Sequence, residues 1–538
     1  MTWRGTAVAC SLLTILAGAV PQVASGHAER HTYYPARSKG AVPKHRTSGP
    51  SLVVCKRDSR DRVKRSWSGD GERARRGRAK ALRVLERCRY RNIQKAVNDA
   101  KSGDRILLMP GVYRERPSRT VPVAKKRCQG DKYWEDSGDN HQKDGRVPTY
   151  LHQVDCPNAR NLIAIIGDSL KDRDRACDHK CNLQMEGMGR SRRDVVIQGD
   201  RLKPDVIRAD RADGFQLYNV TVEQGAYNDV NVVETNGFHL ARLLTRWGSH
   251  YGILTFTTDH GLYENIEAYG NGDSGVYPGS GPEYHCHGYG IEVRNVNSHG
   301  NLLAGSGTSG NGTWWHDNNL HHNGAGISQD SFAPGHPGMP QDCSKFERNR
   351  IYSNNVNYFQ RNQDTCQKPF EQRPKRVVCP VFQVVIGVGF MLYGVNDNRF
   401  TGNWIWDQWR NGVRQFGVPA TLRGENDPAK QFDTSHGNQY RRNVFGMRPD
   451  GTRDRNGTDV YWDEQGVRNC WQANRTAPGR SLTSDPASLP TCASGGSTNP
   501  EPNWVKLGAE VPCATWNPET NPNPPGCIWF TSPPNPGD

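Results

Sequence analysis

A run of near-copies in the middle of the chain constrains its fold more than any other feature. Asn219-Val220, Arg242-Leu243, Asn265-Ile266, Asn295-Val296 and Asn319-Leu320 align as markers at steps of 23, 23, 30 and 24 residues. Asn349-Arg350-Ile351 and Asn403-Trp404-Ile405 read as later, looser copies. A second apolar position recurs at Val230, Ile253 and Val276, beyond turns such as Gly225, Gly248 and Gly270-Asn271-Gly272. Each unit thus holds two short alternating strands and has no core of its own. Stacked, the units share a continuous one. Asparagine recurring at one position predicts a ladder of side chains bonded to backbone groups along the stack.

Composition fits a long, turn-rich solenoid. Only 34% of the 538 residues are hydrophobic, against 57 glycines, which excludes a helical bundle or a polytopic membrane protein. The 14 Trp and 19 Tyr argue against general disorder. Ahead of the repeats, Asn92–Lys101 carries Ile93, Ala96, Val97 and Ala100 on one helical stripe. Gly103 ends that helix, Arg105–Met109 reads as a strand, and Pro110-Gly111 turns the chain into Val112-Tyr113. A short helix here caps an otherwise open sheet edge.

The segment NIQKAVNDAKSGDRILLMPGVYRE and the turns YGNGDSGVYPG and HHNGAGISQ resemble right-handed parallel β-helix proteins of the pectin-lyase-like superfamily. The nearest general likeness is to secreted actinobacterial β-helix repeat proteins, over roughly residues 90–450. The resemblance implies an all-β, right-handed parallel β-helix with an N-terminal capping helix and a small basic helical segment in front. It implies relatives that are polysaccharide lyases, glycoside hydrolases, uronan epimerases or non-catalytic surface proteins. The expected organisation is a signal peptide at 1–26, a basic segment at 27–91, the β-helix at 92–450 and a tail at 451–538. The Pro- and Asn-rich tail is expected to be an extended, disulfide-tied wrap with a loose terminus.

Arg4, the apolar run Thr6–Val20 and Ala24-Ser25-Gly26 have the layout of a secretory signal, so the protein is expected outside the cell. The nearly apolar stretch Val378–Val395 contains Pro380, Gln383, Gly387 and Gly389 and reads as buried strands, not a membrane span. With Cys10 in the signal, 14 of the 15 cysteines remain, an even number for an oxidising compartment. Neighbours in sequence would pair as Cys55/Cys88, Cys128/Cys156, Cys177/Cys181, Cys286/Cys343, Cys366/Cys379, Cys470/Cys492 and Cys513/Cys527. Cys177 and Cys181, with His179 between them, could instead be half of a metal site, but no second such pair follows.

The net charge is +15, and Lys56–Arg91 alone holds 15 Lys/Arg against five Asp/Glu. One reading is a clamp for a cell-wall polyanion or an acidic glycan; the other is a solvated helical hairpin. No nucleic-acid fold signature accompanies it. A monomer is expected.

Outward residues of a stack form columns, because neighbouring coils lie about 4.8 Å apart. Four residues after the marker stand Glu223, Arg246, Tyr269 and His299; eight after it, Tyr227, His250 and Asp273. Two after it stand Thr221, Leu244, Glu267, Asn297 and His321; three before it, Gln216, His239, Leu262, Glu292 and His316. Trp247, Trp314, Trp315, Tyr277 and Tyr289 offer flat surfaces for sugar rings. The candidate catalytic residues are Arg246, His250, Tyr269, Asp273 and His299. The candidate substrate-binding residues are Glu223, Tyr227, Tyr277, His316 and His321. The plain alternative is that all are solvated outward positions of a sheet, which are polar in any case.

Uronan β-elimination or epimerisation needs a cation for the carboxylate and groups that move the C5 proton, which Arg, Tyr and His supply. Hydrolysis needs two carboxyls at a set separation, and no column presents Asp/Glu in adjacent or next-but-one coils. Asn297-Ser298-His299-Gly300 resembles the His-bearing segment of polygalacturonases, but their paired-aspartate motif is missing. The histidine-rich middle suits zinc or copper, as in copper-handling β-helix proteins, yet Cys286 is expected in a disulfide and only seven Met are present. No metal site is assigned. No cofactor is expected, with calcium, as a bridge to glycan carboxylates, the one candidate; a Gly/Asp nonapeptide calcium repeat is absent.

Overall fold

Strands of two to six residues that recur once per coil pair with their own copies, and three parallel sheets result. They contain 12, 10 and 11 strands. The computed structural model describes residues 29–35, 40–136, 146–170, 177–332, 336–423, 425, 427–514, 516 and 526–537. The expected signal peptide, 1–26, lies outside them. The second repeat, for example, contributes Asn236–Ala241 to the first sheet, Leu244–Arg246 to the second and Ile253–Phe256 to the third. The architecture is the right-handed parallel β-helix, closed at its start by the helix Ile93–Asp99.

Inward positions stack into the core. In the third sheet Ile207, Val230, Ile253 and Val276 follow one another in register. In the first sheet the core turns aromatic downstream: Phe346 lies 5.0 Å from Phe400, Phe400 4.6 Å from Tyr440, and Tyr440 5.0 Å from Trp471, all stacked. Coil spacing close to ring-stacking distance makes identical positions in successive coils self-complementary.

The asparagine ladder exists, but one residue beyond the marker. Asn219, Arg242, Asn265, Asn295 and Asp317 all take left-handed backbone at the corner between the first and second sheets. The next position is apolar in Val220, Leu243, Ile266 and Val296 and becomes asparagine from Asn318 onward. There Asn318, Asn349, Asn403, Asn443 and Asn474 bond side chain to side chain and side chain to backbone. Asn319 instead pairs with Asn297. Marker alignment is therefore right through Asn295 and slips by two residues at Asn319, because Asn319-Leu320 repeats the Asn-apolar pattern while the marker position itself holds Asp317.

Asn403 is fully buried; its amide bonds to Phe346 O and Asn443 Oδ1 at 2.9 Å each, and its Oδ1 accepts from Asn349. Asn403→Ala orphans donors on the neighbouring coil, each costing about 1–3 kcal/mol. A loss of about 2–4 kcal/mol in denaturant unfolding is expected. An unchanged midpoint would show the ladder to be dispensable.

Insertions and termini cover the outer face of the third sheet. Arg30, from the N-terminal extension, reaches Asp210 at 2.9 Å and Glu234 at 2.7 Å. Arg208 pairs with Asp210 at 2.8 Å, and Arg211 pairs with Asp168 at 2.8 Å. The tail is not simply extended. Trp504–Ala514 is a helix, and its Glu510 bonds to Arg414, Tyr393 and Trp529 over that face. First- and third-sheet strands also continue to Cys470–Gln472 and Ser484–Asp485, past residue 450 where the repeat fades in sequence. Val388–Tyr393 is a buried strand, while the preceding residues, including Pro380 and Gln383, are irregular.

All seven expected disulfides are present, Cys177–Cys181 among them, so that pair is no half metal site. The basic segment supplies the first strand, Ser51–Val54, and the helices Ser59–Ser66 and Glu72–Leu85. Val63, Ala81 and Val84 pack with Leu107, Met109 and Met188. It is a packed cap whose charges point outward. No helix among the described residues is long and apolar enough to cross a membrane.

Candidate functional site

The three-residue strands of the second sheet turn their middle side chain inward and the two outer ones away. The third position therefore forms an outward column: Glu223, Arg246, Tyr269, His299, His321, Tyr352 and Trp406, each paired with the next. Arg246 donates to Glu223 at 2.8 Å and to the Tyr269 hydroxyl at 2.9 Å. Beyond it the rings are near-parallel. Centroid separations are 5.2 Å for Tyr269–His299, 5.3 Å for His299–His321, 4.8 Å for His321–Tyr352 and 4.3 Å for Tyr352–Trp406. Rings stacked along the coil axis stand edge-on to their surroundings, so they offer hydroxyl and ring-nitrogen edges more than flat faces.

Electrostatics grade along the column. Burial would lower the Arg246 pKa, but Tyr269 and Glu223 outweigh it and raise it. Burial lowers the His299 pKa against the pull of Glu267, 3.8 Å away. Burial, with His299 and His322 beside it, takes His321 down to about 4. The guanidinium stays charged while the imidazoles of His299 and His321 are neutral at pH 7. Cation, phenol and proton acceptor thus follow one another over three coils.

The expected set divides. Glu223, Arg246, Tyr269 and His299 come together as the spacing predicts. His321 joins their column, not the one two residues after the marker, because of the register slip. For the same reason His316 does not follow Glu292. It pairs in register with Arg294, stacks on Trp314 at 4.2 Å and bonds to Glu292 at 2.9 Å, on the first sheet.

Tyr227 and His250 are in register and stacked at 4.2 Å, but on the far side of the turn, where His250 is only 8% exposed. Asp273 follows His250 in the backbone, yet its side chain is 2% exposed and accepts from Ser274, and burial raises its pKa to about 7. Tyr277 is buried 4.8 Å from Tyr251 on the third sheet, and Trp315 is in the core. Neither offers a sugar platform. Both are enclosed because the third sheet's outer face is covered and the first sheet's middle positions point inward.

Sequence reasoning missed two features. Glu264 and Glu292 stand in adjacent coils of the first sheet, two residues out of register, with Glu264 beside Arg294 and Glu292 beside Leu262, and Arg294 bonds to both at 2.8 Å. His239 reaches Glu264 at 3.2 Å. The second feature is a cavity of about 470 Å³ against Tyr227 and His250, closed by the Cys366–Cys379 insertion. Polar residues at period two in Ile291–Arg294 hinted at the first; nothing local announces the second.

No protein-family model matches the chain, and no curated protein does. Solved structures match it. The Dettilon tailspike protein is 10% identical over 55% of this chain and 52% of its own, with a TM-score of 0.35. Pectate lyase Pel9A is 11% identical over 81% and 80%, TM-score 0.31. The A-module of the Azotobacter vinelandii mannuronan C-5 epimerase is 12% identical over 73% and 92%, TM-score 0.32. The chain spans about half the length of the tailspike protein, and the likeness is one of fold alone.

Proposed function

We propose that the chain is an extracellular carbohydrate-active protein that lays an acidic polysaccharide along the outer face of its second sheet and acts on it by β-elimination or epimerisation. The observation that carries this reading is the column from Glu223 to His321. Arg246 holds a substrate carboxylate with N–H groups beyond those given to Glu223 and Tyr269, the guanidinium having five. Tyr269 and His299 then flank the sugar's C5. In β-elimination the neutral His299 takes the C5 proton, the C4–O bond breaks, a C4=C5 double bond forms, and the leaving oxygen receives a proton from Tyr269. In epimerisation the proton returns to C5 from the other face. The seven disulfides fit an oxidising, extracellular setting.

The second reading is a non-catalytic glycan-binding scaffold. It is favoured by the engagement of Arg246 with its own neighbours, a network that needs no substrate to be satisfied. Incubation with a panel of uronic-acid glycans separates the two. New ultraviolet absorbance from unsaturated product supports the eliminase, and incorporation of solvent deuterium at C5 without absorbance supports the epimerase. Binding with neither signal leaves the scaffold.

A further inference from the structure

The insertion closed by the Cys366–Cys379 disulfide folds over the turn between the second and third sheets and roofs the cavity of about 470 Å³. The insertion is braced by bonds within it and tied to the coil through Lys375. Asn362 donates to Val378 O at 2.7 Å, Arg373 Nε to Lys368 O at 2.8 Å, and Lys375 pairs with Asp200 at 3.0 Å. The floor is the Tyr227–His250 stack, and the roof includes Phe370.

Two guanidiniums line this space, Arg201 from the coil and Arg373 from the insertion. Burial, and then Arg373 itself, lowers the Arg201 pKa. Burial lowers that of Arg373 as well. Arg201 lies 5.6 Å from the Phe370 ring centroid and donates to Val377 O at 3.4 Å, while its Nε is buried with no hydrogen-bond partner among the described residues. The adjacent carboxylate, Asp200, is already taken by Arg119 and Lys375 at 2.8 and 3.0 Å. Asp229, the acid that acts on Arg201, is fully buried and accepts from Gly225 N at 2.9 Å. Glu371, the acid that acts on Arg373, lies exposed on the insertion, which leaves Arg201 without an open carboxylate of its own; like charges gathered under a cover are costly unless an anion completes them.

Cavities for small ligands run from about 300 to 1,000 Å³, mostly apolar with a few placed polar groups. This one has aromatic surface above and below and paired cations at the side. We propose that it binds a single acidic sugar residue, with the ring against Phe370 and the Tyr227–His250 floor and the carboxylate at Arg201 and Arg373. The site is separate from the column of the second sheet, and it binds its ligand whether or not that column turns over a substrate.

Titration calorimetry with galacturonate, glucuronate and mannuronate, their uncharged methyl esters, and sodium sulfate tests this. At least one uronate should bind at least about tenfold more tightly than its ester and than sulfate, the factor that 1.4 kcal/mol represents. Arg373→Gln, in the insertion, should weaken that uronate about tenfold or more, leave the ester unaffected and leave the unfolding midpoint in place. Tyr269→Phe, on the second sheet, should leave the affinity unchanged. No binding by any uronate, equal binding of acid and ester, sulfate as tight as the uronate, or an Arg373→Gln protein of full affinity would each overturn the proposal.

Discussion

Tyr269→Phe and His299→Ala should each lower the rate of unsaturated-product formation on the responsive uronan by about 10²–10⁴-fold, the range for loss of a positioned proton-transfer group. Tyr269→Phe removes one acceptor from Arg246, so its unfolding free energy should move by no more than about 1.5 kcal/mol. Arg246→Ala is a poorer probe. Glu223 is 3% exposed and would retain, among the described residues, only the Gln198 amide, 3.0 Å away, so a stability loss of about 1–3 kcal/mol accompanies any loss of activity. A three-residue strand half-buries its outer positions between coils, with the Arg246 and Glu223 side chains only 25% and 4% exposed, so outward side chains there carry stability.

The pH profile gives a second readout. Burial lowers the His299 pKa below its ordinary 6.5, so the imidazole stays neutral at pH 6.5 and accepts a proton there. The rate should hold as pH falls to about 6.5 and decline only below it. A Tyr269→Phe protein of full activity would remove the site from this column. The first-sheet group His239, Glu264, Glu292, Arg294 and His316 would then be the next place to look.

Asp210→Asn should cost about 3–5 kcal/mol, because it leaves Arg30 and Arg208 buried without their shared carboxylate. Burial alone would raise the Asp210 pKa, but Arg30 and Arg208 outweigh it and hold it below the ordinary carboxylate value. A depressed folded pKa contributes stability that is fully present above the unfolded value, about 3.9, and is lost as pH falls through the folded one. The native protein should therefore lose stability below about pH 4, and the variant should lose less over that window. Equal acid limbs in denaturant titrations of the two proteins would show that Asp210 is not linked to folding in this way.

The coil architecture, the capping helix and the seven disulfide pairs were legible because each rests on local pattern. An apolar residue every 23 positions, a helical stripe before a strand, and cysteines close in sequence need no knowledge of distant chain. The column from Glu223 to His299 was legible for the same reason, since its three steps cross no misleading copy. Past Asn295 the local signal became ambiguous. Asn319-Leu320 repeats the marker's pattern, but the marker position is held by Asp317, and only the pairing of Asn319 with Asn297 and of His321 with His299 shows it. That register moved His321 into the column and, on the first sheet, set His316 beside Arg294 instead of Glu292. The burial of Asp273 and Tyr277, the cover over the third sheet and the Arg201–Arg373 cavity depend on segments remote in sequence, the extension at Arg30, the Cys366–Cys379 insertion and the helix at Glu510. Repetition along the chain sets which residues stack. Contacts between non-repeating segments, which carry no period, decide which of those residues stay open to a ligand.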